Sequence, residues 1–217
     1  MAQPFTMQAP EPRCRPTWRD RVGNLFFRNS YLVTPPWDIG RPQPEIVGLV
    51  EADEIRGDVL DLGCGTGENA LFLAERGHRV VGMDIAPRAI AKAKDKARER
   101  GLAAEFIEDS VVDPRRVTGS FDTVIDSGLF HSFGPNQQPC YVATVTRLLR
   151  PGGRLFILCF SENEPGTWGP RRITQAEIRA VFRDGWLVRD IRAARFAAHL
   201  EGGGVQAWLA SIERLAV

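Results

Sequence analysis

The run Val59-Leu60-Asp61-Leu62-Gly63-Cys64-Gly65-Thr66-Gly67-Glu68-Asn69 passes from an apolar stretch into an acid, a glycine-dense turn and then a segment of helical character. Glycines at alternate positions let the backbone turn sharply with positive φ and leave no Cβ in the way of a ligand. Such a turn presents the N-terminal N–H groups of the following helix to that ligand. The spacing is that of a nucleotide-type cofactor loop between a strand and a helix.

A phosphate-cradling loop would end in Gly-Lys-Ser/Thr, which is absent here. The dinucleotide fingerprint is G-x-G-x-x-G, whereas this chain has G-x-G-x-G with Asp61 just upstream. A carboxylate there would repel a pyrophosphate and suits a ligand bearing an ammonium group. A second strand, Arg79 to Asp84, ends in an acid roughly 20 residues on, placed to accept both hydroxyls of a ribose. On these residues the motif resembles the first motif of the class I S-adenosylmethionine (SAM) methyltransferases. The resemblance implies that Asp61, Gly63, Cys64, Gly65, Gly67, Asp84 and Ile85 bind SAM. An NAD oxidoreductase is the remaining cofactor alternative, and the glycine spacing disfavours it.

The 217 residues, 43% hydrophobic and 25% charged, suit one ordinary globular domain. A chain of this size buries roughly 70% of its unfolded surface, so it needs no disulfide or metal to hold it. The net charge of +1, with no block of like charges, argues against a dedicated binder of nucleic acid or membrane surfaces. Cys14, Cys64, Cys140 and Cys159 form no C-x-x-C pair and no zinc spacing; free thiols are expected, buried at Cys64 and Cys159. No clustered metal-ligand set is apparent. No run approaches 18 apolar residues and no signal-peptide core is visible, so the expected compartment is the cytoplasm. Monomer and homodimer both remain open.

Residues 1–16 are proline-rich and poor in apolar residues and are expected to be disordered. Trp18, Val22, Leu25 and Phe26 then recur at helical spacing, for a helix that either packs on the domain or lids the site. Between Thr34 and Pro44 four prolines and a glycine impose a stiff, extended loop containing Trp37-Asp38. This T-P-P-W-D-x-G-R-P-Q-P run is similar to the thiopurine, thiol and halide methyltransferase group. It also resembles the mycobacterial-type methyltransferases of quinones and heterocycles. The resemblance, from Thr34 to the last strand, implies that Trp37 lines the cofactor and substrate pocket. Residues 17–45 therefore read as a lid and pocket segment, and 46–217 as the SAM-binding domain.

Beyond the glycine loop, helices are expected at about 68–76, 87–100 and 174–183, and behind the fourth strand, where Tyr141, Val145, Leu148 and Leu149 share a face. Further strands are expected at 105–110, 121–128, 154–160, 186–196 and 205–214. The last two are joined by a short loop with Gly202-Gly203-Gly204, which permits only an antiparallel pair. The expected fold is α/β: a Rossmann-like class I methyltransferase fold, with a mostly parallel seven-stranded sheet, one antiparallel strand and helices on both faces.

Ligands of such sheets sit at the carboxyl ends of the strands. Asp61, Asp84, Asp109 and Asp126 all fall at such ends. In the wider SAM family an acid at the end of the third strand bonds the adenine amino group, and Asp109, followed by Ser110, matches; the position of Asp126 contacts either cofactor or substrate. His131 follows the fourth strand and is the one histidine placed to orient or deprotonate an acceptor. The thiol and halide members generally lack a histidine here, while the quinone and heterocycle relatives show an L-F-H-S run. Phe26, Tyr31, Trp37, Phe130, Phe133 and Trp168 suggest a flat aromatic acceptor. The loop Ser161 to Pro170 could close over it. The expected activity is methyl transfer from SAM to oxygen, nitrogen or sulfur of a small, aromatic or heterocyclic molecule. The alternatives are a thiol or halide methyltransferase and a SAM-binding protein without catalysis.

Overall fold

Alternating apolar strands and amphipathic helices build one sheet with a helical layer on each face. The computed structural model describes Cys14 and residues 25–216. Apart from Cys14, the expected disordered tail lies outside the described residues, as do Trp18 and Val22. Residues 25–30 are helical and are called α1. Then come α2 (Pro44–Glu51), β1 (Val59–Leu62), α3 (Glu68–Glu75), β2 (Val80–Asp84), α4 (Pro87–Arg100), β3 (Ala104–Glu108) and β4 (Phe121–Ser127). A 3-10 turn (Phe130–Ser132) leads to α5 (Gln138–Leu148), β5 (Leu149–Phe160), α6 (Gln175–Val181), β6 (Trp186–Ala197) and β7 (Gly204–Arg214).

The strand order is β3-β2-β1-β4-β5-β7-β6. β3, β2, β1, β4 and β5 pair in parallel, and β7 runs antiparallel to both its neighbours. This is the Rossmann-like class I methyltransferase arrangement, and the sheet carries the one antiparallel strand that the sequence suggests. The order reverses between β1 and β4, where open α/β sheets leave a crevice.

Strand alternation divides the core in two. Leu60, Leu62, Val124, Leu155 and Ile157 meet Tyr141 and Leu148 of α5 and Ile178 of α6. Val59, Ile125, Phe156 and Leu158 meet Ile46 of α2, Leu71 of α3 and Ile90 of α4.

Three local features differ from the sequence reading. α2 is a helix it did not contain, although Pro44 at the first turn and buried Ile46 and Leu49 at i, i+3 signal one. β5 starts at Leu149 and not at 154, so Leu149 belongs to the strand and not to the helix face, and Pro151-Gly152-Gly153 forms an irregularity inside β5, between the pairs Phe121–Leu149 and Thr123–Arg154. Cys14 and Cys140 are not free thiols but a disulfide, with Cα atoms 5.5 Å apart. Cys64 and Cys159 are free and buried as expected. Among the described residues no helix is long and apolar enough to cross a membrane.

Candidate active site

The turn after β1 adopts positive φ at Gly63, Gly65 and Gly67 (71°, 54° and 85°). Gly67, left-handed, is the N-cap of α3. Gly63 and Cys64 donate their N–H groups to the Met83 carbonyl at 2.7 and 3.0 Å, which pins the loop to the end of β2. The next residue, Asp84, accepts from the Gly65 N–H at 2.9 Å and the Ala86 N–H at 2.8 Å. Burial raises the Asp84 pKa, and those N–H donors oppose the shift.

A cavity of about 740 Å³ opens over this loop, within the range of roughly 300–1,000 Å³ usual for small-ligand pockets. The glycine loop and the segments at and after the ends of β2 and β3 contribute Gly63, Cys64, Gly65, Gly67, Asp84, Ile85, Asp109 and Ser110 to its lining; the segments at and beyond the ends of β4 and β5 and the end of β6 contribute His131, Phe133, Phe160, Trp168 and Phe196. Tyr31 and Trp37 border it as well, so most of the expected site residues come together.

Three do not line this cavity. Asp61 and Asp126 end neighbouring strands but face opposite helical layers, because Asp61 shares the side of Val59 and Asp126 that of Val124. Asp61 is 1% exposed, and neither carboxylate oxygen has a hydrogen-bond partner. Burial, with Asp126 and Asp84 nearby, raises its pKa to about 8. Asp126 accepts from the Leu129 and Phe130 N–H groups at 2.9 and 3.1 Å and so shapes the 3-10 turn. Phe130 is fully buried against Tyr141 and Phe182, as core.

Asp109 borders the cavity, yet its carboxylate is already committed. It accepts N–H bonds from Ser110, Arg115, Arg116 and Val117. Burial pushes its pKa up, but these four donors hold it below the usual carboxylate value. It ties down the loop after β3, and an adenine amino group would have to share that carboxylate.

The lid and loop segments are fixed by bonds that the sequence alone did not reveal. Arg28 of α1 pairs with Glu108 at 3.1 Å and donates to the Ile85 carbonyl, and Phe26 and Phe27 border the cavity. The described part of α1 therefore borders the site. Trp37 Nε1 donates to the Tyr31 hydroxyl at 3.1 Å. That hydroxyl lies 2.8 Å from where a Cβ on Gly65 would stand, so a side chain there would have to displace it. Gln43, 4% exposed, bridges to Ala197 with two bonds of 2.9 Å.

A comparison with protein families matches residues 59–153 to the family described as "Methyltransferase domain". The 2-heptyl-1-hydroxyquinolin-4(1H)-one methyltransferase of Mycobacteroides abscessus is 43% identical over 197 residues, 83% of this chain and 86% of that protein. The chain belongs to the class I SAM-dependent methyltransferases. This enzyme is also 34% identical over 128 residues to thiocyanate methyltransferase 1 of Arabidopsis thaliana, 58% of this chain and 56% of the relative. A structure solved for the conversion of a disulfide bond into a thioacetal group during echinomycin biosynthesis matches it with a TM-score of 0.81. The identity is 35%, across 88% of this chain and 92% of that one.

The residues of this methyltransferase fit SAM. Asp84 would hold ribose hydroxyls with the lone pairs its two N–H bonds leave free. Behind the glycine loop, the buried Asp61 carboxyl has both oxygens unpartnered, and a cationic ligand nearby would favour its ionised form. Glycines at 63 and 65 keep the backbone bare where a ligand approaches it.

Two features of the acceptor end of the methyltransferase escaped the sequence reading. Ser127 borders the cavity, and its Oγ is buried without a partner. Arg172 donates to the carbonyls of Glu164, Pro165, Gly166, Trp168 and Pro170. It thereby ties down the loop that carries Trp168.

Proposed function

We propose that this methyltransferase acts on an oxygen, nitrogen or sulfur atom of a small aromatic or heterocyclic molecule, with a ring-borne hydroxyl the best-supported acceptor. One observation carries the reading: a single cavity joins the Asp84 and glycine-loop end to an end bordered by Phe133, Phe160, Trp168 and Phe196. A flat apolar ring suits aromatic walls, which favour offset or edge-on contacts. The Mycobacteroides abscessus relative, whose name specifies a hydroxyquinolinone, supports the same class.

Bound SAM supplies a methyl group already activated by its sulfonium. The chain's own work is then alignment and exclusion of water, and orientation can supply roughly 7–11 kcal/mol of such a barrier. Asp84 and the glycine loop fix one reactant, while His131 and the aromatic walls hold the other. Trp168, on its stapled loop, narrows the mouth.

The test is formation of S-adenosylhomocysteine by purified enzyme with hydroxyquinolines, phenols, ring-nitrogen heterocycles, thiols and iodide. Preferred turnover of the ring hydroxyls is expected. Turnover of none, with SAM still bound, would replace this proposal with a cofactor-binding protein that does no methyl transfer. The second reading, a thiol or halide methyltransferase acting in the cytoplasm, is favoured by the Trp37-Asp38 loop and the likeness to a thiocyanate methyltransferase. It predicts thiols or iodide as the best acceptors.

A further inference from the structure

His131 borders the cavity, and its two ring nitrogens are not equivalent. The Phe160 peptide N–H donates to Nδ1 at 3.1 Å in a buried bond. A peptide N–H can only donate, so Nδ1 commits its lone pair there and the neutral ring carries its proton on Nε2. The ring is held in that pose, edge-on to Phe160 at 4.8 Å and to Phe196 at 6.1 Å, and is 5% exposed. For Nδ1 to take a proton, this bond would have to break, stranding a buried N–H.

The surrounding charges act the same way. Burial first, and then the nearby Arg172 guanidinium, push the His131 pKa down to about 3; only a hydrogen bond between the ring and the Gly128 backbone pulls it up. The other carboxylates bordering the cavity are engaged. Asp84 and Asp109 accept backbone N–H bonds, Asp38 holds the Thr66 hydroxyl, and Glu68 is paired with Lys96 and Arg100. Tyr31 and Cys64 have pKa values raised by burial, and Arg171 is tied to the Phe133 carbonyl and Glu177.

We infer that His131 is a hydrogen-bond donor through Nε2–H, not a base, and that the enzyme takes acceptors that arrive already ionised. The inference rests on the ring-hydroxyl reading above and narrows it to acidic hydroxyls, on carbon or on ring nitrogen. The acceptor's oxyanion lone pair forms the new O–C bond as the C–S bond breaks and its electron pair returns to sulfur. The negative and positive charges cancel and no proton is left over.

Two measurements test this. Long-range ¹⁵N–¹H NMR on ¹⁵N-histidine-labelled protein reads the tautomer with neither cofactor nor acceptor present, and loss of a signal in His131→Gln assigns it. Expected is a protonated Nε2 and bare Nδ1, unchanged from about pH 5 to 8, the range in which an ordinary histidine titrates. A protonated Nδ1, or titration in that window, overturns the assignment.

The second measurement follows kcat/KM against pH for substituted hydroxyquinolines and phenols of graded acidity. The rise should break at each acceptor's own pKa. His131→Gln, which keeps an N–H donor, should retain activity within about tenfold, whereas His131→Ala should lose about 10–100-fold. One break shared by all acceptors, with both variants equally dead while still binding SAM, would establish a base and overturn the inference. If the wild type methylates none of them, the ring-hydroxyl reading and the ionised-acceptor claim fail together, while the NMR result still decides the donor assignment.

Discussion

Asp38 Oδ1 accepts the Thr66 hydroxyl proton at 2.8 Å, joining the proline-rich loop to the glycine loop. Lys96 of α4 donates to the same Thr66 Oγ1 at 2.8 Å and to Glu68 at 2.7 Å. This gives the Trp37-Asp38 pair a physical role. The tryptophan holds the Tyr31 hydroxyl over Gly65, and the aspartate holds the next residue along, Thr66.

Asp38→Ala should therefore weaken SAM binding about tenfold, the effect of losing a hydrogen bond to a charged group. Thr66→Val removes that bond and the one from Lys96 as well, so it should cost at least as much, and the double variant should cost little more than Thr66→Val alone. Calorimetric titration checks this. Additive losses would mean that the two residues act separately.

Asp84→Ala should abolish measurable binding of both SAM and S-adenosylhomocysteine. It removes a ligand group and also frees the Gly65 and Ala86 N–H groups that shape the loop. Asp84→Asn keeps acceptor capacity on one side only and should fall between. NAD should bind neither variant nor wild type. Undiminished SAM affinity in Asp84→Ala would place the ribose elsewhere.

Asp61 should make the ligand-free protein less stable as pH rises. Its folded pKa of about 8 lies above the ordinary 3.8, so the folded state keeps a proton that the unfolded chain releases. The stabilisation is whole below about pH 4 and is lost as pH climbs through 8. In Asp61→Asn the fall in melting temperature from pH 5 to 8 should be shallower than in the wild type, by about 1 kcal/mol or more in stability. Parallel curves by scanning calorimetry would show that Asp61 is ionised at no cost in the folded state.

The disulfide joins Cys14 to the first turn of α5, close to the cavity-bordering Gln137. Denatured but unreduced protein should expose only the Cys64 and Cys159 thiols to a thiol reagent, and all four after reduction. Four thiols without reduction would show that the bond does not form in the purified protein.

The parts legible in the sequence are those encoded locally. Glycine spacing and strand-ending acids mark the cofactor end, and the β-α alternation with its glycine-closed hairpin gives the sheet. Distinguishing Asp84 from Asp61 and Asp126 requires the strand pleat, which places the last two under opposite helical layers. Gln43 and Ala197 are far apart in the chain, and nothing near Gln43 announces its two-bond bridge. His131 was legible as a site residue, but its proton position depends on the Phe160 peptide of another strand.

Arg172 is the sharpest case, one of two adjacent arginines with nothing in the sequence to separate them. Arg171 bonds Phe133 and Glu177, whereas Arg172 meets five carbonyls of the 164–170 loop. Its guanidinium also lies 5.5 Å from the ring centres of both Phe160 and Trp168. A lysine has three donors on one nitrogen and cannot reproduce that planar fork. Arg172→Lys should thus free the loop and the half-exposed Trp168 without touching the glycine loop. The expected result is a KM for the acceptor raised about tenfold, a smaller change in kcat and an unchanged Kd for SAM, with faster proteolysis at residues 162–169. Trp168→Ala should show the same KM effect without the proteolysis. If Arg172→Lys instead weakens SAM binding, the loop supports the cofactor end, and the division of the cavity into two ends is wrong.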